Sequence, residues 1–298
     1  MQLHDLVHQQ LLRFTSLVEL SLVGTTFSPY TYVVLGSIPT LRRLHVENCT
    51  FILLHSSFRE RLEAHTRANP SFTHLLAPSQ DVVVKGLPLF HTMRITHLSL
   101  HRHTVPSELE TSPFHPFCLL DIPTLTSLSI TWTANIAARY SHDEWPLASI
   151  TELKVIIPLL SRDLLFMLSA FVNECVLRPK FELKIEKHNL SDSQMATVRV
   201  PSKGLWNYEG PLSIVATSMK RSVSPVLTRV KINETLDLSP LIKGLEKLPS
   251  SIEDLHIQLN EWDMEILFAV KELFKNMKKL LVRYARGSFP PVSLLQLQ

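Results

Sequence analysis

The sequence predicts an α/β fold, a curved horseshoe-shaped solenoid of irregular repeats about 25 residues long. Eight short phrases carry apolar residues in the pattern L-x-x-L-x-L, as in TSLVELSL and PTLRRLHV. Aligned on their middle apolar residue, they fall at Leu20, Leu44, Leu98, Leu128, Leu153, Val230, Leu255 and Leu280. Four of the intervals are 24 or 25 residues, a period typical of architectures in which each repeat supplies one short strand.

The repeat nearest the C-terminus explains the length of the period. The strand phrase IEDLHIQL is followed by DMEILFAVKELFKN, which predicts a helix because its apolar residues recur at helical spacing. Asp263 is expected to accept hydrogen bonds from the first free amides of that helix. A similar apolar stripe follows Ser161 and comprises Leu164, Leu165, Leu168, Phe171 and Val172. We interpret both stripes as core, since one strand and one helix cannot bury their apolar faces alone.

The domain organisation follows from where the phrases begin. Residues 1–13 place Leu3, Leu6, Val7 and Leu11 at helical spacing and predict an N-terminal capping helix. Residues 14–298 form the repeat domain. The long intervals hide further repeats, for which FTHLLA near Phe72, KFELKIE near Leu183 and MATVRV near Val198 are the candidates.

Composition restricts the function classes. Of 298 residues 45% are hydrophobic, which predicts a folded chain, and 30 basic against 27 acidic residues give a net charge of +3 without a long basic run. We therefore expect no nucleic-acid partner. The longest apolar window carries Arg162 and Asp163, so we expect no membrane span. Three cysteines without a C-x-x-C pair favour a reducing, intracellular setting, cytoplasmic or nuclear.

The phrases TSLVELSL, PTLRRLHV, PTLTSLSI, SSIEDLHI and NMKKLLVR resemble leucine-rich-repeat proteins, and in particular the repeat region of fungal F-box-type receptor proteins. The resemblance implies a non-enzymatic protein-interaction module that recruits substrates to a ubiquitin ligase. It also implies a cullin-ligase adaptor as partner. No F-box segment is recognised, so no adaptor-binding residue is assigned.

Outward positions of the strand phrases are the candidate binding residues, because side chains alternate between the two faces of a strand. In a solenoid they would line the concave face and contact a protein partner. The candidates are Arg43, His45, Glu47, His97, Ser99, His101, Ser127, Ser129, Thr131, Glu152, Lys154, Arg229, Lys231, Asp254, His256, Lys279 and Arg283.

Motifs for chemistry are sparse. The seven glycines form no phosphate-binding or dinucleotide-binding pattern, so we expect no cofactor. In HLSLHRH, His97 and His101 would lie about 13 Å apart along a strand and cannot share a metal ion. His101 and His103 could share one, but we favour exposed strand and loop histidines.

Two alternatives to the interaction module remain open. One is a hydrolase-type enzyme with its site in the irregular region 181–224. The other is a truncated structural remnant. His142, Asp143 and Glu144 in SHDEW have acid–base side chains, and we interpret that segment as a solvated turn.

Overall fold

A computed structural model describes residues 10–11, 13–52, 93–105, 116–140, 149–174, 180–195, 197–202, 204–219 and 226–285. The chain divides into two compact units. Unit 1 contains Met1–Ile130 and Glu144–Ile150, and unit 2 contains Thr131–Asp143 and Thr151–Gln298. Of the predicted capping helix over residues 1–13, Gln10 and Leu11 are helical, and Met1–Gln9 lie outside the described residues. The candidate repeat FTHLLA and the SHDEW segment also lie outside them.

Unit 1 is built on four parallel strands. Its elements are β1 (Glu19–Val23), β2 (Thr26–Phe27), α1 (Pro29–Gly36), β3 (Arg43–Glu47), β4 (Thr50–Phe51), β5 (His97–His101), a 3₁₀ helix (Pro116–Asp121) and β6 (Ser127–Thr131). The sheet order is β1-β3-β5-β6. Leu20 lies opposite Leu44, Leu44 opposite Leu98, and Leu98 opposite Leu128. The alignment of the apolar phrases therefore predicts the strand register correctly.

A backbone turn of one recurring form ends the first three strands. Gly24, Asn48 and Arg102 follow β1, β3 and β5 at equivalent positions, with φ of 61°, 52° and 48°. Glycine adopts this left-handed conformation without strain, and asparagine tolerates it better than most residues. After the turn the chain is extended again, and β2 pairs in parallel with β4.

Aromatic residues beyond these turns fill the core of unit 1. The rings of Phe27 and Phe51 stack at 4.8 Å, and Tyr32 of α1 meets Phe27 edge-on at 5.1 Å. All three side chains are fully buried. Because buried aromatic side chains contribute large apolar areas, this cluster is a main source of stability in unit 1.

Unit 2 alternates strands with helices. Its elements after Thr131 are α2 (Ala134–Tyr140), β7 (Glu152–Leu160), α3 (Arg162–Glu174), β8 (Lys180–His188), α4 (Asp192–Met195), β9 (Leu205–Gly210), α5 (Leu212–Met219), β10 (Arg229–Leu236), α6 (Leu238–Leu245), β11 (Asp254–Leu259), α7 (Glu265–Leu273) and β12 (Lys279–Tyr284). The six strands are parallel and follow one another in the order β7-β8-β9-β10-β11-β12. An α/β fold with parallel strands is thus confirmed.

Helices of unit 2 bury the stripes that the sequence predicts. All five apolar residues of the α3 stripe are buried, and Trp132 packs on Phe171 at 5.0 Å while its Nε1 donates to the carbonyl of Leu164. Ser161 Oγ accepts a bond from Leu164 N at 3.4 Å, as expected of an N-cap. Asp263 accepts from Glu265 N at 2.8 Å, so its carboxylate bonds to the first amide of α7 as predicted, although Met264 occupies the N-cap position.

One weak strand prediction is correct and another is wrong. KFELKIE forms β8, with Leu183 and Ile185 buried. No strand forms at the described residues of MATVRV, because the amides of Thr197 and Val198 bond to the carbonyl of Gln194 in a turn. The missed strand is β9, whose sequence LWNYEG lacks the leucine pattern.

A hydroxyl-to-carbonyl bond recurs at the entrance to several strands. The donor precedes the first apolar position of a phrase, and the acceptor is the carbonyl of the equivalent apolar residue one strand earlier. The bonds are Thr40 to Leu17 at 2.8 Å, Thr124 to Ile95 at 2.8 Å, Ser149 to Leu125 at 2.7 Å and, in unit 2, Ser251 to Leu227 at 2.8 Å. The same side-chain chemistry therefore ties neighbouring strands in both units.

Candidate protein-binding face

Side chains of the parallel strands alternate between core and surface, as the period of two requires. In β3 and β5 the second and fourth residues are buried, and the first, third and fifth are exposed or half-buried. The predicted face residues follow this rule, with one exception. Thr131 is 4% exposed, because the chain turns inward after β6 to bury Trp132. Thr131 therefore lines no open face.

The unit 1 face comprises Arg43, His45, Glu47, His97, Ser99, His101, Ser127 and Ser129. Its contacts are mostly between imidazole, hydroxyl and carboxylate groups. His45 Nε2 lies 3.2 Å from Glu47 Oε2, and Ser129 Oγ lies 3.0 Å from His101 Nε2. The rings of His45 and His101 are 6.0 Å apart. The unit 1 face is therefore an open row of hydrogen-bonding groups.

His103 does not join this row. Strand β5 ends at His101, and after the left-handed turn at Arg102 the half-buried side chain of His103 lies against core aromatic residues. The His103 ring meets Phe51 and Phe117 edge-on at 5.8 and 5.4 Å. Burial, with a smaller repulsion from His101, lowers the pKa of His103 to about 4. The interpretation of exposed histidines thus fails at His103.

Metal binding finds no geometric support in the part of the chain that the structure describes. No group of three histidine, cysteine or acidic side chains there is spaced to hold an ion.

The unit 2 face comprises the predicted residues Glu152, Lys154, Arg229, Lys231, Asp254, His256, Lys279 and Arg283, together with Lys180, Glu182, Lys184, Trp206 and Glu209 from β8 and β9. Charges of opposite sign alternate across its strands. Lys184 and Lys231 lie 3.5 and 3.0 Å from the same carboxylate oxygen of Glu209. Lys154 lies 4.0 Å from Glu182. These pairs hold long side chains in place across four strands.

At the other end of this face Asp254 lies near an imidazole ring and an ammonium group. His256 Nε2 is 3.0 Å from Asp254 Oδ1, outside hydrogen-bonding alignment, and Lys279 Nζ is 3.9 Å from Asp254 Oδ2. Burial lowers the pKa of His256, and the Asp254 carboxylate opposes that shift.

Trp206 is one of the unit 2 face residues that sequence reasoning missed. Phe181 lies opposite Leu205 and Glu182 opposite Asn207, so Trp206 is the extra residue of a β-bulge. Lys180 Nζ is 4.1 Å from the centre of its ring, and Arg229 Cζ is 5.0 Å away. The alternation in KFELKIE could have placed Lys180 on the face, but nothing in the leucine pattern indicates β9.

In the region 181–224, Tyr208 and Glu209 make structural contacts. Tyr208 is fully buried and donates to the carbonyl of Pro211 at 2.8 Å. Burial, reinforced by Glu234, raises the pKa of Tyr208 well above its usual range. Glu209 is held in the ion pairs of the unit 2 face.

No protein-family model matches the chain, and no curated protein matches it significantly. Within the described residues, no helix combines the length and the apolar character needed to cross a membrane.

Proposed function

We propose that this protein is a leucine-rich-repeat interaction module whose polar strand faces bind a protein partner, as the substrate-recruiting part of an F-box-like ubiquitin-ligase receptor. One observation carries the binding proposal: polar residues stand in register on successive parallel strands of each unit. Such a row offers many moderate contacts over a long surface, which suits a protein more than a small molecule.

Repeat geometry supports the leucine-rich-repeat classification. The full pattern L-x-x-L-x-L-x-x-N/C-x-L extends beyond the strand phrase. Leu41, Leu44, Val46, Cys49 and Phe51 occupy its positions, with phenylalanine in the last one. The buried thiol of Cys49 donates to the carbonyl of Leu22 on the neighbouring strand at 3.2 Å. The recurring hydroxyl-to-carbonyl bonds described above link equivalent residues in the same way.

The experiment that tests the proposal compares charge reversals on and off the faces. The face variant is Arg43→Glu plus Arg229→Glu, and both positions are exposed. The matched control is Arg162→Glu plus Lys271→Glu, which makes the same change of net charge at exposed helical positions. Each chain serves as bait in the native cell, and the bound proteins are quantified by mass spectrometry.

We expect the face variant to lose the bound partners and the control to retain them, with both chains matching the parent in thermal unfolding. Equal recovery by both variants would contradict binding through the faces. A second arm mixes the purified chain with purified adaptor and cullin subunits. Failure to co-elute would remove the ubiquitin-ligase part of the proposal and leave a plain binding module.

A further inference from the structure

Trp206, Lys180 and Arg229, which we call the Trp206 clamp, include two cations that differ from the other lysines of the unit 2 face. Lys154, Lys184, Lys231 and Lys279 each lie at ion-pair distance from a carboxylate. No carboxylate of the described residues lies at that distance from Lys180 or Arg229, although both are exposed. Two positive charges therefore flank one indole ring without neutralisation.

The indole N–H is a second unusual feature of the clamp. Trp206 Nε1 is covered by its neighbours and has no acceptor among the described residues. A buried N–H without an acceptor costs free energy, and tryptophan normally finds a partner when it is buried. The clamp thus presents two cations beside one indole ring, and an incoming carboxylate could pair with both cations.

We propose that the Trp206 clamp is the anchor point of the unit 2 face and binds an acidic side chain, aspartate or glutamate, of a peptide segment in the partner protein. Tryptophan and arginine are the residues that most often dominate the energy of protein interfaces. Arginine and lysine also make their strongest hydrogen bonds to carboxylates. This inference rests on the proposed function, since it names the partner chemistry for one of the two faces.

The ion pairs around the clamp give the site its selectivity. Glu209 neutralises Lys184 and Lys231 on the strands that flank β9. An acidic peptide therefore meets two adjacent free positive charges at the clamp, whereas elsewhere on this face only Arg283 lacks a described carboxylate at ion-pair distance. A polyanion such as nucleic acid needs an extended row of free cations, which the described ion pairs interrupt.

The test displays random dodecapeptides on phage against the immobilised full chain. We expect selected peptides to carry aspartate or glutamate at a fixed position. Replacing that residue by its amide in a fluorescein-labelled copy is expected to weaken binding about tenfold or more in fluorescence polarisation. Neutral or basic selected peptides, or the absence of any enriched sequence, would overturn the proposal.

Protein variants locate the site. Trp206→Phe keeps a ring for packing but removes the N–H and weakens attraction to the cations, and Lys180→Gln and Arg229→Gln each remove one charge. We expect each to weaken peptide binding about tenfold. The control Lys154→Gln removes a neutralised charge on the same face and is expected to change binding less than about threefold. Equal losses in the control would indicate general electrostatics and overturn the clamp.

Two further probes test whether the clamp binds other anionic molecules in place of an acidic peptide. Single-stranded oligothymidine and phosphatidylcholine vesicles containing phosphatidylserine are expected to bind weakly and without sensitivity to Trp206→Phe. Tight, Trp206-dependent binding of either would overturn the peptide assignment. If cellular partners are lost with the double charge reversal but kept by Trp206→Phe and Lys180→Gln, the proposed function stands and the clamp falls.

Discussion

Unit 1 and unit 2 place polar side chains at the same alternating strand positions but fill those positions with different chemistry. The unit 1 face is rich in serine and histidine, and its Arg43–Glu19 ion pair is highly exposed. The unit 2 face carries lysine and glutamate in cross-strand pairs around Glu209. The inward residues are apolar in both units. The fold thus constrains one side of each strand and leaves the other free for recognition.

The largest effect is expected from breaking the two cores separately. Phe51→Ala in unit 1 and Phe171→Ala in unit 2 each remove a fully buried ring and should lower the free energy of unfolding by about 3–5 kcal/mol. Urea denaturation measures the loss, and hydrogen exchange reports where protection falls first. We expect it to fall first in the unit that carries the substitution.

Phe166→Ala is the matched control, because Phe166 is 75% exposed on α3. It should change the free energy of unfolding by less than about 0.5 kcal/mol. Uniform loss of protection in both units would contradict two separately stabilised cores.

A pH titration should also separate the units. The pKa of His103 is about 4 in the folded protein against 6.5 for an ordinary histidine, so the unfolded chain binds the proton more tightly. The contribution of neutral His103 to the free energy of unfolding is therefore fully present above pH 6.5. It falls by up to about 3 kcal/mol as the pH drops towards 4. The loss should appear as weakened protection in unit 1.

His103→Cys places at this position the residue found at the equivalent position of β3, Cys49. This variant should remove most of the pH dependence of the free energy of unfolding between pH 6.5 and 4. The exposed control His97→Ser should leave that dependence in place. Since carboxylates also titrate near the lower limit, the difference between the two variants is the measured quantity. Identical pH profiles would show that His103 is not responsible.

A smaller effect is expected at the turns that end the strands of unit 1. Gly24→Ala forces a Cβ into a left-handed conformation and should destabilise the protein by about 1–2 kcal/mol, although open space surrounds the position. Asn48→Gly relieves a milder strain and should change stability by well under 1 kcal/mol in urea denaturation. The reverse order would mean that side-chain contacts and not φ dominate these turns.

These turns also illustrate what the sequence could and could not predict. Strand register was predictable, because leucine at every second position must face the core and a slip of one residue would expose it. The inward turn of His103 was not, since it depends on a positive φ at Arg102, a residue that rarely adopts one. A histidine pattern read as an extended strand therefore misplaces its last member.

The residues of the candidate site were also predictable only in part. Polar positions such as Lys231 and Asp254 followed from alternation alone. Trp206 did not, because a β-bulge shifts its register and the buried residues Leu205 and Tyr208 of β9 do not follow the usual leucine spacing. Ion pairs across strands depend on which charges the register brings together, and that was unknown for the strands between Leu153 and Val230.

The smallest expected effect concerns the ion pairs themselves. A double-mutant cycle of Glu209→Gln and Lys231→Gln should give a coupling energy of about 0.5–1 kcal/mol, because Glu209 is 27% exposed and the pair is 3.0 Å long. The same cycle for Glu19→Gln and Arg43→Gln should give a value near zero, because both side chains are more than half exposed.

Urea denaturation at low and high salt measures both couplings. The Glu209 coupling should shrink with salt, since exposed charges are screened. Equal coupling energies in the two units would mean that the Glu209–Lys231 pair is no stronger than a highly exposed ion pair. The two faces would then differ in amino-acid composition but not in the strength of their ion pairs.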